Sequence, residues 1–278
     1  MSRVAPERRV TRLTLGEAPE SRRDTLAGEE PLEIRVAGRS LAVTMRTPGA
    51  DFDLAAGFLV SEGVVAARED LVGLRYCAGE VEGVNTYNVL DAALAAHVAP
   101  PDEGAARAFF TTSSCGLCGK ASIDAVRTRS PYDLRADPLV VEASLLATLP
   151  DRLRAAQAVF ATTGGLHAAA LVDGSSGEIL CVREDVGRHN AVDKVVGWAL
   201  REGRLPLTGT VLLVSGRASF ELVQKAAMAG VALLCAVSAP SSLAVELAEE
   251  TGMGLVGFLR PPSMVVYANA QRVLTPTR

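Results

Sequence analysis

Residues 168–201 read AAALVDGSSGEILCVREDVGRHNAVDKVVGWALR, and this stretch decides the fold class. Two short runs rich in Ala, Val, Leu and Ile, residues 168–172 and 179–182, predict strands. Residues 190–201 predict a helix, because their apolar side chains form one stripe at helical spacing: Ala191, Val192, Val195, Val196, Ala199 and Leu200. Strands that alternate with helices are typical of a layered α/β domain.

The same alternation continues on both sides of this stretch. Further strands are predicted at residues 210–214, 232–236 and 255–259. Further helices are predicted at residues 121–129, 142–149, 220–229 and 243–250. The second half of the chain is therefore expected to fold as one layered α/β domain.

The first hundred residues follow a different pattern. Apolar residues alternate over residues 34–45 around Ala37-Gly38-Arg39, which predicts a β-hairpin. Asp51 is a candidate cap for a helix over residues 52–61, and strands are predicted at residues 72–77 and 85–90. The polar segment PPDEG at residues 100–104 is the best linker candidate.

These patterns predict three units along the chain. Residues 1–27, a polar segment rich in Arg and Glu, are expected to be a flexible N-terminal arm. Residues 28–108 are expected to form a small α+β domain. Residues 109–278 are expected to form the α/β domain, which also carries the cysteine motif described below.

Composition excludes several classes of protein. Apolar residues make up 49% of the 278 residues, enough for a sizeable core. The net charge of −4 argues against a general binder of nucleic acid or of anionic membranes. No apolar run approaches the roughly 18 residues of a membrane span, and the first 23 residues contain no apolar signal core. A cytoplasmic protein is expected, in which five cysteines do not form a disulfide framework.

Two of the cysteines lie in a segment suited to thiol chemistry, TTSSCGLCGK at residues 111–120. Cys115 and Cys118 stand three apart just before a predicted helix, whose first amides would stabilise a thiolate together with Lys120. Two alternatives stay open. A zinc site would need two more ligands, and a thioredoxin-type dithiol would carry an aromatic residue before the pair and a proline inside it.

The other three cysteines, Cys77, Cys181 and Cys235, lie in or beside apolar runs. Free cysteine is among the most buried residue types, so all three are interpreted as packing residues.

Polar residues gather where predicted strands begin or end. His167 follows the glycine pair of TTGGLH, where a structural histidine is as good an interpretation as an acid or base. His189 and Asp193 are helical neighbours in position to pair. The charged residues around them at this strand end favour a binding site, with a solvated helix start as the alternative. An anion site is predicted at the helix start after residue 214, with small side chains and one cation: Ser215, Gly216, Arg217 and Ser219. Arg260 follows another strand end, where an ordinary turn is the alternative.

Five segments together resemble the formate dehydrogenase accessory sulfurtransferase family, FdhD. They are TTSSCGLCGKASID at residues 111–124, TTGGLHAAAL at 162–171, REDVGRHNAVDK at 183–194, SGRASFELVQKAA at 215–227 and GFLRPPSMVVY at 257–267. The resemblance runs from about residue 28 to the C-terminus, and it is the combination of segments that is specific.

The resemblance implies a function and a set of partners. Such proteins accept persulfide sulfur from a cysteine desulfurase and deliver it to the molybdenum cofactor, in its bis(molybdopterin guanine dinucleotide) form, for formate dehydrogenase. It also implies a homodimer without a metal of its own, and a C-terminal domain similar to cytidine deaminases.

Site residues follow from the same resemblance. By motif position Cys115 is the persulfide carrier and Cys118 its helper. One loop is implied to bind the cofactor nucleotide: Phe258, Leu259, Arg260, Pro261, Pro262 and Ser263. The deaminase zinc signature is not reproduced, because no H-x-E is present and the cysteine pair precedes His167.

Two rival functions remain. A chaperone that binds the cofactor without transferring sulfur predicts no persulfide on Cys115. A zinc hydrolase of deaminase type predicts about one tightly bound zinc ion per chain, held by cysteine thiolates.

Overall fold

The computed structural model describes residues 2–77, 80–81, 84–101 and 130–275. The cysteine pair Cys115 and Cys118, the linker candidate beyond Pro101 and the helix predicted at residues 121–129 lie outside these ranges. So does the predicted domain boundary at residue 108.

The strands of the described ranges fall into two main sheets and three short pairs. They are β1 (Glu7–Arg12), β2 (Glu20–Thr25), β3 (Glu30–Val36), β4 (Arg39–Arg46), β5 (Leu71–Tyr76), β6 (Glu80–Val81), β7 (Val84–Asn85), β8 (Val89–Leu94), β9 (Val141–Glu142), β10 (His167–Asp173), β11 (Ile179–Asp185), β12 (Thr210–Val214), β13 (Leu233–Ala236), β14 (Gly254–Arg260), β15 (Ser263–Ala268) and β16 (Val273–Leu274). The α-helices of the same ranges are α1 (Asp51–Ser61), α2 (Ala143–Ala156), α3 (Ala158–Thr163), α4 (Arg188–Arg201), α5 (Phe220–Met228) and α6 (Ser242–Thr251). Single 3-10 turns lie at Arg68–Asp70, Leu134–Ala136 and Ala270–Arg272.

The larger sheet has six strands in the order β11-β10-β12-β13-β14-β15. Strands β12, β13 and β14 are parallel to one another, whereas the other neighbouring pairs are antiparallel. Apolar side chains of α4, α5 and α6 cover one face, and the stripe Leu146, Leu149 and Leu153 of α2 covers the other. The layered α/β fold class is therefore confirmed. Its likeness to cytidine deaminases stays a prediction.

The smaller sheet, in the order β4-β3-β8-β5, is formed by strands that lie within residues 30–94. Strand β3 pairs with β4 in the predicted hairpin and with β8 in parallel. Helix α1 lies between this sheet and the larger domain. Leu54 and Ala55 pack on the small sheet, while Ala56, Leu59 and Val60 join the core beneath α4. The two predicted units therefore share one core.

Helices α1 and α4 approach each other at two glycines. A Cβ added to Gly57 would lie 1.8 Å from the backbone oxygen of Asp193, and one added to Gly197 would lie 1.8 Å from that of Asp53. Real Cβ atoms do not come so near to backbone oxygens, so only glycine permits this separation of the two helices.

Three local predictions differ from the structure. Helix α2 continues past Pro150 to Ala156, because Leu153 extends its buried stripe. Asp51 does not cap α1, whose N-cap is Ala50, and its carboxylate binds Arg46 instead, at 2.8 Å.

The N-terminal arm is the third difference. The predicted flexible arm contains an antiparallel ribbon, β1 with β2, in which Glu7 faces Thr25. Backbone hydrogen bonds anchor the ribbon, from Leu26 to Pro6 and from Gly28 to Val4. Hydrophobic periodicity does not reveal such pairing, because most side chains of the ribbon are exposed.

No helix within the described ranges is long and apolar enough to cross a membrane.

Candidate functional site

The sequence-predicted polar segments meet at one edge of the six-stranded sheet. Strand β10 begins there beside the end of β11, since His167 faces Asp185 in the register. The parallel strands β12 and β13 end side by side, with Val214 beside Ala236. Strands β14 and β15 turn there between Arg260 and Ser263. We call this the site edge. In open α/β sheets, ligands bind outside the carboxyl ends of the strands.

The loop after β12 carries the predicted anion-binding residues. Ser215 fixes it to β10, because its hydroxyl accepts a hydrogen bond from the Ala168 amide at 2.8 Å and its own amide donates to the Ala168 oxygen at 2.9 Å. Arg217 is exposed, and Ser219 is the N-cap of α5 without a side-chain cap bond. The loop is therefore rigid at its base and presents a cation to solvent.

The loop between β14 and β15 carries the second predicted set. Arg260, Pro261, Pro262 and Ser263 are all exposed. Phe258 is 39% exposed and has a positive φ of 49°. Leu259 differs from its neighbours, because it is fully buried in the core cluster under α2. Leu259 therefore anchors the loop to the core, and a ligand would contact the exposed side chains on either side of it in the sequence.

Ser238 joins the two loops. Its amide donates to the Gly216 oxygen at 3.3 Å, and its own oxygen accepts from the Phe258 amide at 3.1 Å. The sequence predicted the two loops separately, and the structure brings them together through a residue that no motif had singled out.

The predicted pair of His189 and Asp193 is wrong. His189 lies 2.7 Å from a carboxylate oxygen of Glu221, in the first turn of α5, and 3.3 Å from the hydroxyl of Ser219, the N-cap of that helix. Asp193 instead binds Lys225 at 2.8 Å and accepts from Ser61 at 2.6 Å. Partners from packed helices offer closer and more buried contacts than the helical neighbour does.

Glu221 is a second site-edge residue that sequence reasoning missed. Its only signal is its place in the first turn of a helix, where a carboxylate ordinarily serves the helix dipole. Burial would raise its pKa, but the hydrogen bond to His189 and the nearby positive charges of Lys225 and Arg188 lower it overall. Glu221 is therefore a carboxylate at neutral pH and orients the imidazole.

The turn that carries His189 rests on a buried ion pair. Lys194 lies 2.7 Å from Asp185, and both side chains are almost wholly buried. The carboxylate also accepts from the amides of Gly187, at 2.8 Å, and Thr47, at 3.1 Å. An ion pair removed from water is tolerated when its remaining hydrogen-bonding positions are filled, as they are here.

Two of the three cysteines within the described ranges are unsuited to nucleophilic chemistry. Cys181 and Cys235 are buried, which confirms their prediction as packing residues. Burial raises the pKa of Cys181 to about 11 and that of Cys235 further still. Cys77, just after β5, is only partly buried. In the part of the chain that the structure describes, no group of three or more His, Cys, Asp or Glu side chains is arranged to hold a metal.

The fold and the site edge define a class of protein. It is an α/β protein whose candidate ligand site lies where adjacent strands end and is lined by two joined loops and a His–Glu pair. Comparison with known proteins makes the assignment specific. The chain belongs to the FdhD/NarQ family, whose model matches residues 27–274.

Curated relatives cover nearly the whole chain. The sulfur carrier protein FdhD of Streptomyces coelicolor is 63% identical over 98% of this chain and 97% of its own length. The protein of the same name from Mycolicibacterium paratuberculosis is 61% identical over 97% of this chain and 99% of its own length.

A solved structure shares the fold. The crystal structure of a proposed formate dehydrogenase accessory protein from Desulfotalea psychrophila aligns with a TM-score of 0.74, at 21% identity. The alignment covers 98% of this chain and all of that one.

Proposed function

We propose that this protein is a sulfur carrier that takes persulfide sulfur from a cysteine desulfurase and delivers it to the molybdenum cofactor of formate dehydrogenase. The observation that carries the proposal is the near full-length identity, around 60%, to proteins named as sulfur carriers. In this proposal the protein acts in the cytoplasm as a homodimer, has no resident metal ion and binds the cofactor as its client.

Cys115 is the proposed carrier, with Cys118 as its helper. The Cys115 thiolate attacks the outer sulfur of the desulfurase persulfide. A new S–S bond forms on Cys115, the desulfurase S–S bond breaks, and its electron pair leaves on the desulfurase cysteine as a thiolate. The step is an exchange, so it needs no external oxidant or reductant.

Elimination among the other thiols supports this choice. Only a thiolate is an effective nucleophile, and the buried Cys181 and Cys235 have raised pKa values that keep them protonated. Cys77 is only partly buried, so it is the competitor that an experiment has to separate from the pair.

We expect persulfide to form on Cys115 when the full-length protein is incubated with a cysteine desulfurase and cysteine. Peptide mass mapping without reducing agent would show one added sulfur atom on the peptide with Cys115 and Cys118, and none on those with Cys181 or Cys235. A Cys77→Ala variant is the matched control and should load as the wild type does. Loading of Cys77 alone, or of no cysteine, would refute the carrier role, and the latter result would favour the chaperone.

The cofactor is proposed to bind across the two joined loops. Arg217 and Arg260 are exposed, and neither forms an ion pair with another residue of the described ranges. A guanidinium can hold two phosphate oxygens at once, which suits the pyrophosphate of a dinucleotide. Ser238 fixes the spacing of the loops that carry these two arginines.

GDP, as a fragment of the proposed cofactor, should bind more tightly than ADP. Arg260→Ala should weaken GDP binding by about tenfold, because a charge-assisted hydrogen bond contributes roughly 1.5–3 kcal/mol. Calorimetry on the full chain measures both. Arg12→Ala, an exposed arginine of β1, is the control and should bind as the wild type does.

Two results would contradict this placement. One is no heat of GDP binding at millimolar concentration, and the other is unchanged binding by Arg260→Ala. Sulfur loading of Cys115 should survive the Arg260 change, because loading and delivery are separate steps.

A further inference from the structure

One buried polar atom at the site edge lacks a partner. Among the side-chain nitrogens and oxygens of the described ranges, Nε of Arg188 is the one that is buried and makes no hydrogen bond. A buried donor left unpaired is costly, so an orphan of this kind needs a physical reason. A bound group that supplies the missing acceptor is one such reason.

The position of Arg188 indicates what could bind there. It is the first residue of α4, and its side chain lies over Gly216 at the start of the predicted anion loop. A Cβ on Gly216 would lie 4.0 Å from Cδ of Arg188 and 3.4 Å from Nδ1 of His167. Arg188 and His167 therefore converge above the one residue of this loop that has no side chain.

Three acidic side chains of this region already have basic partners. Asp185 binds Lys194, Asp193 binds Lys225, and Glu221 binds His189. Arg188 forms no ion pair with any residue that the structure describes. The guanidinium of Arg188 therefore has no carboxylate in direct contact, although the charge of Glu221 lies near enough to interact with it.

His167 adds a neutral donor. Burial lowers its pKa, and the nearby guanidinium of Arg188 lowers it further, with Asp185 opposing them. The imidazole is therefore uncharged at neutral pH. One ring nitrogen of a neutral imidazole carries a proton that can be donated to an oxygen.

We propose that Arg188 and His167, whose side chains converge over Gly216, form a binding site for a phosphate group, whose oxygens accept hydrogen bonds from Arg188 Nε and from His167. Phosphate fits because it offers several acceptor oxygens and a charge to balance the guanidinium. The site itself needs only the observations above, and its use for a cofactor phosphate rests on the proposed function.

The test is calorimetry of inorganic pyrophosphate and, separately, of GDP with the full-length protein. Arg188→Met should weaken pyrophosphate binding about tenfold or more, since it removes a charge-assisted hydrogen bond. Arg188→Lys keeps the charge but not Nε, and should fall between Met and the wild type. Arg12→Met, on the exposed ribbon, is the matched control and should bind as the wild type does.

Urea unfolding of the ligand-free variants separates ligand binding from a structural role. If Arg188 is kept for a ligand, Arg188→Met removes an unpaired buried donor, and the unfolding midpoint should stay the same or rise. A structural role requires the midpoint to fall. Should the Met variant not fold, that result counts against the site, and Arg188→Lys provides the binding comparison.

The outcomes are distinguishable. Weaker binding of both ligands by Arg188→Met assigns the site to a nucleotide phosphate, and weaker binding of pyrophosphate alone assigns it to a free anion. Unchanged binding of both, or no pyrophosphate binding by the wild type, overturns the inference. None of these results depends on sulfur loading of Cys115, so the proposed carrier function stands or falls separately.

Discussion

Formate dehydrogenase activity should fall to the level of a strain lacking this protein when Cys115→Ala is the only copy present. The change removes the sulfur atom that accepts the persulfide, and the buried Cys181 and Cys235 cannot replace it, because their raised pKa values keep them protonated. The readout is enzyme activity in cell extracts, together with the abundance of the variant. A folded variant is expected, since alanine removes only one sulfur atom from the side chain.

Matched substitutions make this result specific. Cys181→Ala should leave formate dehydrogenase activity close to normal, because its thiol serves only packing under α4. Cys118→Ala decides whether the second cysteine of the pair is a helper or an equal partner. Normal activity in the strain with Cys115→Ala would show that the carrier is another group.

Gly197→Ala should destabilise the whole protein by about 3 kcal/mol, a typical upper cost of overpacking. The added methyl group would lie 1.8 Å from the backbone oxygen of Asp53, and a backbone atom cannot move aside as a flexible side chain can. Helix propensity acts in the opposite sense, since alanine in a helix is favoured over glycine by about 1 kcal/mol. The two effects predict opposite signs, so urea unfolding of this one variant decides between them.

Gly73→Ala is the control for the glycine experiment. A Cβ at Gly73, in β5, would meet no atom within 4 Å. The unfolding free energy of this variant should stay close to that of the wild type. Equal stability of Gly197→Ala and the wild type would mean that α1 and α4 can separate without loss.

The sequence located the elements of the larger domain well. The apolar run TVLLV is bounded by Gly209 and Ser215, and β12 occupies the residues predicted for it. Helix α5 also begins at the residue predicted for it, Phe220. Buried strands and amphipathic helices can be predicted from the sequence, because the side chains that they bury are apolar and recur at a characteristic spacing.

Contacts between helices and strands were harder to predict from the sequence. The helical spacing of His189 and Asp193 was read correctly, yet α5 supplies Glu221 and Lys225 as better partners. The role of Ser238 between the two loops depends on strand order, which periodicity does not give. The burial of Leu259 was not predicted from the sequence either. Which residues are buried near a strand end depends on the register of that strand with its neighbour.

The candidate site was predicted in part. The loop that begins at Ser215 was predicted from small and cationic residues after a strand, whereas the loop over residues 258–263 was implied by the family resemblance. The structure joins the two loops. Arg188 was noted only as one of several charged residues, because a missing hydrogen bond becomes visible only when every neighbour is placed. The roles of Cys115 and Cys118 stay predictions.

The place of α1 between two layers has a consequence for biosynthesis. Residues 51–61 leave the ribosome well before residues 188–201, so the nascent helix can cover one apolar side with the small sheet while Ala56, Leu59 and Val60 still face water. A partly made chain that exposes an apolar face is prone to aggregate or to recruit chaperones. The apolar side of α1 can therefore be covered only after α4 has been translated. From that point on, this surface is no longer available for aggregation with other nascent chains on the same polysome.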